Sequence, residues 1–475
     1  MSTPTVRSAR VRGRTFAHIL VNTALANLTT SYLWFALTFW LYLETRNVIA
    51  TGVIGGGYML FIAASSIGFG TLVDRFRKLS VMRGSAAFTL GMFSLAAVVF
   101  AVMPNDASAT LSSPWLWLFA VIVLAGAVVE NMRSVALSTT VTILVDADRR
   151  ANANGWVGAV QGLSFMVTSV FSGLSIGFFG MGWTIVIALV LVMVGLVDLL
   201  VISLPEEREP AASDAQGTFD LRGALRAVHL VPGLFALILF STFNNFVGGV
   251  HMALLDPYGL ELFSVQMWGV VFAFGATGFM VGGALIGRFG LGANPMRTML
   301  IAVMVTGVLG AVIGLRAWPW LLVAGVWLFM VVMPAVEAAE QTVIQRVVPL
   351  PQQGRVFGFA GAFEAAAAPV TAFLVAPVAE HIVIPWADGE GAAAVEPVFG
   401  SGPGRGLALI FAIAGVVTIV AALAAFTTPV YRAVSAEYSA VAAEEYAPED
   451  GSGEQPRDGA TCPPTTPDDA VPTGG

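Results

Sequence analysis

Three residue types that build soluble active sites are nearly missing from this 475-residue chain: it has one cysteine, one lysine and four histidines. The cysteine, Cys462, lies in a polar tail, so there is no disulfide framework and no thiolate metal site. The lysine, Lys78, precedes Leu79, whereas a phosphate-cradling P-loop needs lysine followed by serine or threonine. A phosphorylated-aspartate pump signature containing Lys-Thr fails for the same reason, and a mid-membrane Schiff base is excluded because Lys78 stands in a charged turn. His18, His229, His251 and His381 are scattered, without HExxH or Cys/His ligand spacing, so neither a metal, another cofactor nor an enzyme is expected. Charge itself is scarce: 11% of residues are charged against 57% hydrophobic, far from the mix of a soluble globular protein.

What is present is apolar sequence in long runs. Twelve stretches, near 17–43, 50–73, 82–103, 115–144, 154–179, 181–203, 232–254, 264–287, 296–315, 318–344, 357–383 and 406–429, are each long enough to cross a hydrocarbon core of about 30 Å as a helix. The expected fold is an all-α membrane protein, with the bilayer as its solvent and no nucleic-acid partner. Arginines fall on alternate connections: Arg75, Arg77, Arg83, Arg149, Arg150, Arg288, Arg346 and Arg355 share one side, against Arg46, Arg316 and Arg405 on the other. The positive-inside rule then puts both termini in the cytoplasm and the protein in the cell membrane. A cleaved signal peptide is the competing reading of the N-terminus, but apolar sequence running on to Tyr42 would leave an odd number of spans.

Composition divides the chain into an N-terminal arm (1–16), a six-span bundle (17–204), a linker (205–231), a second six-span bundle (232–430) and an acidic tail (431–475) expected to be disordered and dispensable for transport. Within the linker, FDLRGALRAVHL puts Leu221, Leu225 and His229 on one face of a short helix expected along the membrane surface. The loop 385–406 is Gly rich and reads as a flexible connector.

Two phrases repeat across the halves. GTLVDRFRKLSVM begins at Gly70 and GALIGRFGLGANPM at Gly283, each where the second helix of a half turns back. VDADRRANANG from Val145 and VPLPQQGRVFG from Val348 both join a half's fourth and fifth spans. Matching loops on two six-span halves point to parallel repeats around a central cavity, with one half rocking against the other. Gly70, Asp74, Arg75, Arg77 and Lys78 resemble the loop signature of the major facilitator superfamily, although Arg77 stands where that family prefers glycine and Leu79 replaces a basic residue. The second copy keeps Gly283 and Arg288 but carries Gly287 in place of the acid. Within the superfamily, EQTVIQRVVPLPQQGRVFG is most similar to the macrolide-efflux-like group of drug and proton antiporters. The arginine and Gly-Pro motifs of such antiporters are incomplete, which weakens the inference of efflux direction. Asp74 could accept hydrogen bonds from a neighbouring helix and pair with Arg75, Arg77 or a basic group on an adjacent element. The resemblance makes that cluster a conformational latch; the alternative is a topological signal that any positive residues would supply.

Charged groups inside spans cost roughly 2.5 to 3.5 kcal/mol each on insertion scales, so they mark protein-facing or water-filled paths. Glu130 and Arg133 are spaced to pair, and Ser134 and Ser138 continue the face of Glu130. Glu337 and Glu340 lie together without an obvious base, and Glu364 stands among small residues. These four glutamates are the candidate proton carriers. Asn27, Trp34, Arg133, Gln161, Asn244, Asn245 and Gln341 are candidate cavity-lining residues, with interhelical clamping the competing role. The expectation is therefore a secondary transporter of alternating access, coupled to protons, exporting a hydrophobic or amphipathic small molecule as a monomer. Uptake symport of a small metabolite and a transporter-like sensor or scaffold are the alternatives.

Overall fold

The computed structural model describes residues 4–45, 48–104, 112–204, 220–400, 402 and 404–446. Most of the linker, Cys462 and the tail beyond Tyr446 lie outside them. The described residues are helical almost throughout, as sequence in lipid must be, because a helix satisfies every backbone N–H and C=O within one segment. In the first half these helices are α1 (Pro4–Thr45), α2 (Val48–Arg75), α3 (Lys78–Val102), α4 (Pro114–Glu130), α5 (Met132–Leu144) and α6 (Arg150–Val201). A short amphipathic helix, α7 (Leu221–Leu230), precedes the second half. That half comprises α8 (Leu234–Leu262), α9 (Val265–Phe289), α10 (Pro295–Val312), α11 (Pro319–Val347), α12 (Leu350–Val378), α13 (Ile384–Asp388), α14 (Ala392–Phe399), α15 (Arg405–Thr427) and α16 (Pro429–Tyr446).

Ten stretches among the described residues are long and apolar enough to cross a membrane. One of them, built on α6, contains two spans. At about 1.5 Å per residue its 52 residues would reach some 78 Å if straight, but the helix breaks at Gly180, whose φ of +72° is open to glycine and strained for other residues. The first span, in α1, carries the arginine-rich arm on the same helix. Counting α1 and both arms of α6 gives the twelve spans of the sequence reading. The side chains facing away from the bundle are apolar, as at Phe178 and Phe373, which are 78% and 81% exposed.

Each half packs two cores, one toward each end. In the first half Trp40, Phe93 and Phe119 form one and Ile19, Val73, Met82 and Leu199 the other. The second half repeats the plan, with Tyr258, Leu322 and Phe411 at one end and Leu237, Met299, Val343 and Phe359 at the other. The end that carries the 70–82 turn and the linker is called the linker end below.

Three expectations are corrected. α7 docks through Ala224, Ala227 and Val228 into the core of the second half, whereas Leu221 is exposed and His229 turns outward, because the small residues allow closer approach than the leucine face. The tail is not disordered from its start: α16 runs to Tyr446, buries Val434, and stacks Tyr438 on Arg346 at 4.8 Å. The 385–406 segment is mostly helical rather than a loop, with Val395 and Phe399 buried and Arg316 donating to the carbonyls of Pro397 and Val398.

Candidate functional site

At the linker end the halves meet along two seams, α2 against α12 and α6 against α9. Both are lined with glycine, so the backbones touch. A side chain on Gly70 would collide with the Gly354 carbonyl, and one on Gly283 with the backbone of Ala159. On the α2 seam Asp74 accepts hydrogen bonds from the backbone N–H of Gly354 (2.6 Å) and of Arg355 (3.0 Å), and from the Arg355 guanidinium (3.0 Å). The two side chains are 3% and 7% exposed, so little water competes. Arg355 also reaches Asp220 at 3.4 Å, which caps α7 by accepting from Gly223 N–H.

The α6 seam repeats this geometry without charge. Gly287 occupies the place of Asp74, and Asn152 the place of Arg355 in the paired loops. Asn152 donates to the Gly287 carbonyl at 3.1 Å. Between the seams, Asn154 donates to Thr342 and Gln345, Thr142 donates to Gln353, and Arg150 donates to the Gln345 carbonyl, all at 2.8–2.9 Å. The cross-half hydrogen bonds named here all seal the linker end.

Behind this seal lies a central cavity of about 560 Å³. Its walls include Trp34 and Phe35 of α1, Tyr58 and Met59 of α2, Ser134 and Ser138 of α5, Gln161 and Phe165 of α6, and Ser241, Asn244, Asn245 and Met252 of α8. Glu337, Glu340 and Gln341 of α11 and Glu364 of α12 complete it. Glu337, Glu340 and Glu364 thus share one wall of the cavity. Among the described residues none of the three glutamates forms an ion pair. Four polar atoms in this wall, Trp34 Nε1, Ser241 Oγ, Glu340 Oε1 and Glu364 Oε1, are buried without a partner. Buried polar groups are ordinarily satisfied, and such orphans in a cavity wall are what a ligand or bound proton completes.

Of the cavity residues read from sequence, Trp34, Gln161, Asn244, Asn245, Gln341, Glu337, Glu340 and Glu364 come together here. Asn27, Arg133 and Glu130 do not. Asn131, Ser134 and Ser138 form the cavity face of the α4–α5 span, whereas Glu130 and Arg133 are buried on the face that turns into the first bundle. There Glu130 accepts from Arg133 (3.3 Å) and Thr89 (3.2 Å), while Arg133 also donates to Asn22 and Asn22 to Asp198 at 2.6 Å. In the latch cluster, Arg75, Arg77 and Arg288 point into the open, and Lys78 donates to the Val73 carbonyl at 3.0 Å, capping α2. Sequence reasoning counted Arg355 only as a marker of sidedness. Its place beside glycine in the repeated loop was the available signal. Tyr58, stacked on Trp34 at 5.3 Å, carried no polar pattern that would single it out.

The family model of the Major Facilitator Superfamily matches residues 19–372. Macrolide efflux protein A of Streptococcus pyogenes is 20% identical over 380 residues, covering 77% of this chain and 90% of that protein. The fold is similar to that of the human organic anion transporter MFSD10 (TM-score 0.67, 13% identity, covering 86% of this chain and 99% of that one). It is also similar to the proton:xylose symporter XylE (TM-score 0.61, 12% identity, 87% and 96%).

Proposed function

Since the chain belongs to the major facilitator superfamily, a family of membrane transporters and not of enzymes, we propose that it is a proton-coupled exporter of hydrophobic or amphipathic small molecules, working by alternating access. The observation that carries this reading is the cluster of Glu337, Glu340 and Glu364 in the cavity wall, with no ion pair among the described residues and two of its oxygens unsatisfied. Acids crowded in one buried wall repel one another when all are ionised, so this cluster is a place where a proton and the polar end of a substrate compete. Competition for one site, with access from alternate sides, yields exchange of one for the other.

The sealed linker end gives the latch its role. Asp74 and Arg355 hold the halves together in this conformation and part when the cavity opens on the linker side. If the arginine-rich side is cytoplasmic, with both termini there, the conformation is outward-facing. The protein then acts as a monomer in the plasma membrane, because one chain supplies both walls of the cavity. The resemblance to macrolide efflux proteins favours export and names a first substrate class to try.

The test uses proteoliposomes with an imposed pH gradient and a macrolide or a fluorescent lipophilic amine. Wild type should drive uphill, counter-gradient flux. Glu340→Gln and Glu364→Gln should lose at least about 100-fold of that uphill flux while retaining downhill exchange. Full gradient-driven transport in both variants would remove the coupling proposal, and substrate moving with the proton would replace export by symport.

A further inference from the structure

The α6–α9 seam does not stay closed along its length. Gly162 makes its last tight contact, where a β-carbon would lie 2.7 Å from the Met280 nitrogen. Past that point the helices part around a second space of about 200 Å³. Phe165 of the first half and Phe272, Ala276, Phe279 and Met330 of the second wall it, and its one polar side chain is Gln161. Gln161 and Phe165 also line the central cavity, so the two spaces adjoin at these residues. Polarity falls from the glutamates, through Gln161, to a wall of phenylalanine and methionine.

We propose that this side pocket is a second subsite, holding the apolar limb of the transported compound while its polar end lies at Glu337, Glu340 and Glu364. The inference rests on the transport reading above and adds the shape of the substrate. An apolar cavity of about 150 Å³ holds benzene, so this space takes a six-membered ring with a short branch and falls well short of a lipid's whole acyl chain. Its adjoining the cavity, and the single polar group at the shared wall, favour a limb arriving from the cavity over a lipid tail arriving from the bilayer. The wall comes from both halves, so the pocket exists only while the seam is in this arrangement, and filling it biases the protein toward this conformation. The substrate class is thus a compact amphiphile with a cationic or hydrogen-bond-donating head and one ring-sized apolar arm.

Equilibrium binding to the full chain in nanodiscs, without a pH gradient, tests this separately from coupling. The probes are butylammonium, 4-phenylbutylammonium and the corresponding naphthyl compound. Wild type should prefer the phenyl probe to the plain alkyl one. Ala276→Leu, which fills the pocket, should weaken the phenyl probe about tenfold and leave butylammonium unchanged. Met330→Ala, which enlarges it, should improve the naphthyl probe, and serves as the second arm should Ala276→Leu assemble poorly by size exclusion. Equal affinity of wild type for phenyl and alkyl probes, or no binding of any probe, overturns the proposal. So does a pair of variants that shift all probes alike. If Ala276→Leu only reduces co-purified lipid and leaves probe affinities intact, the occupant is a lipid chain and the proposal fails. Loss of gradient-driven flux in the glutamate variants bears on coupling alone, whereas these affinities bear on the pocket alone.

Discussion

The two halves share a plan but spend charge differently. In the first, the buried acid Glu130 is matched by Arg133, Thr89 and the Asn22 network, and the acid at the turn, Asp74, reaches across to the partner half. In the second, the turn has lost its acid to Gly287, and three glutamates face the cavity with no ion pair among the described residues. A duplicated bundle therefore keeps its backbone contacts while its copies diverge in where they place their acids, one at the closed end and the other at the cavity. A buried charge that is matched belongs to the scaffold. One left unmatched at a cavity is maintained for something that comes and goes.

Breaking the matched pair should have the largest effect on stability. Glu130→Gln leaves the Arg133 charge buried and should cost about 3 kcal/mol, read as a lower unfolding temperature in detergent. Glu340→Gln removes an unmatched charge and should leave that temperature unchanged or raise it. Equal losses in the two variants would erase the distinction between the halves. Next in size is Asp74→Asn. It weakens charge-assisted bonds worth about 1.5 to 3 kcal/mol each, and should slow transport roughly tenfold or more with normal membrane insertion. Unchanged rates would reduce the cluster to a sidedness signal. The smallest effect belongs to Asn152→Ala on the opposite seam, which gives up a neutral bond of about 1 kcal/mol. It should change transport rates less than about fivefold, and a loss as large as that of Asp74→Asn would show that the two seams are equivalent latches.

Much of this was legible in the sequence because the forces concerned are one-dimensional. Span length, the sidedness of arginine and the paired loops at Gly70 and Gly283 depend on local composition, and they gave the helical bundle and its two halves. Glu337, Glu340, Gln341 and Gln161 were found because polar groups are rare in apolar spans and must face something. Rarity alone does not decide facing, which depends on how each helix is rotated. Glu130 and Asn27 obey the same rarity rule as Glu340, yet Glu130 lies on the face of its span that turns into its own bundle, beside Arg133 and Thr89. Arg355 and Asp220 were hidden for a different reason. The two acids that Arg355 binds, Asp74 and Asp220, each lie more than a hundred residues from it in sequence, and only the docking of α7 and α12 brings the three together. The helix α16 was missed because acidic, alanine-rich sequence looks solvated until Val434 and Tyr438 find an apolar or cationic surface.

The glycine seams have one more consequence. A methyl group on Gly70, Gly283 or Gly358 meets backbone of the other half, which cannot rotate away as a side chain would. On the proposed alternating access the clash belongs to the shut linker end alone, so such a variant should insert and fold but behave as a jammed door. In a mutational survey these positions would score like substrate contacts although no substrate reaches them. The same substitutions offer a practical wedge for capturing the opposite conformation, with nothing in the cavity disturbed.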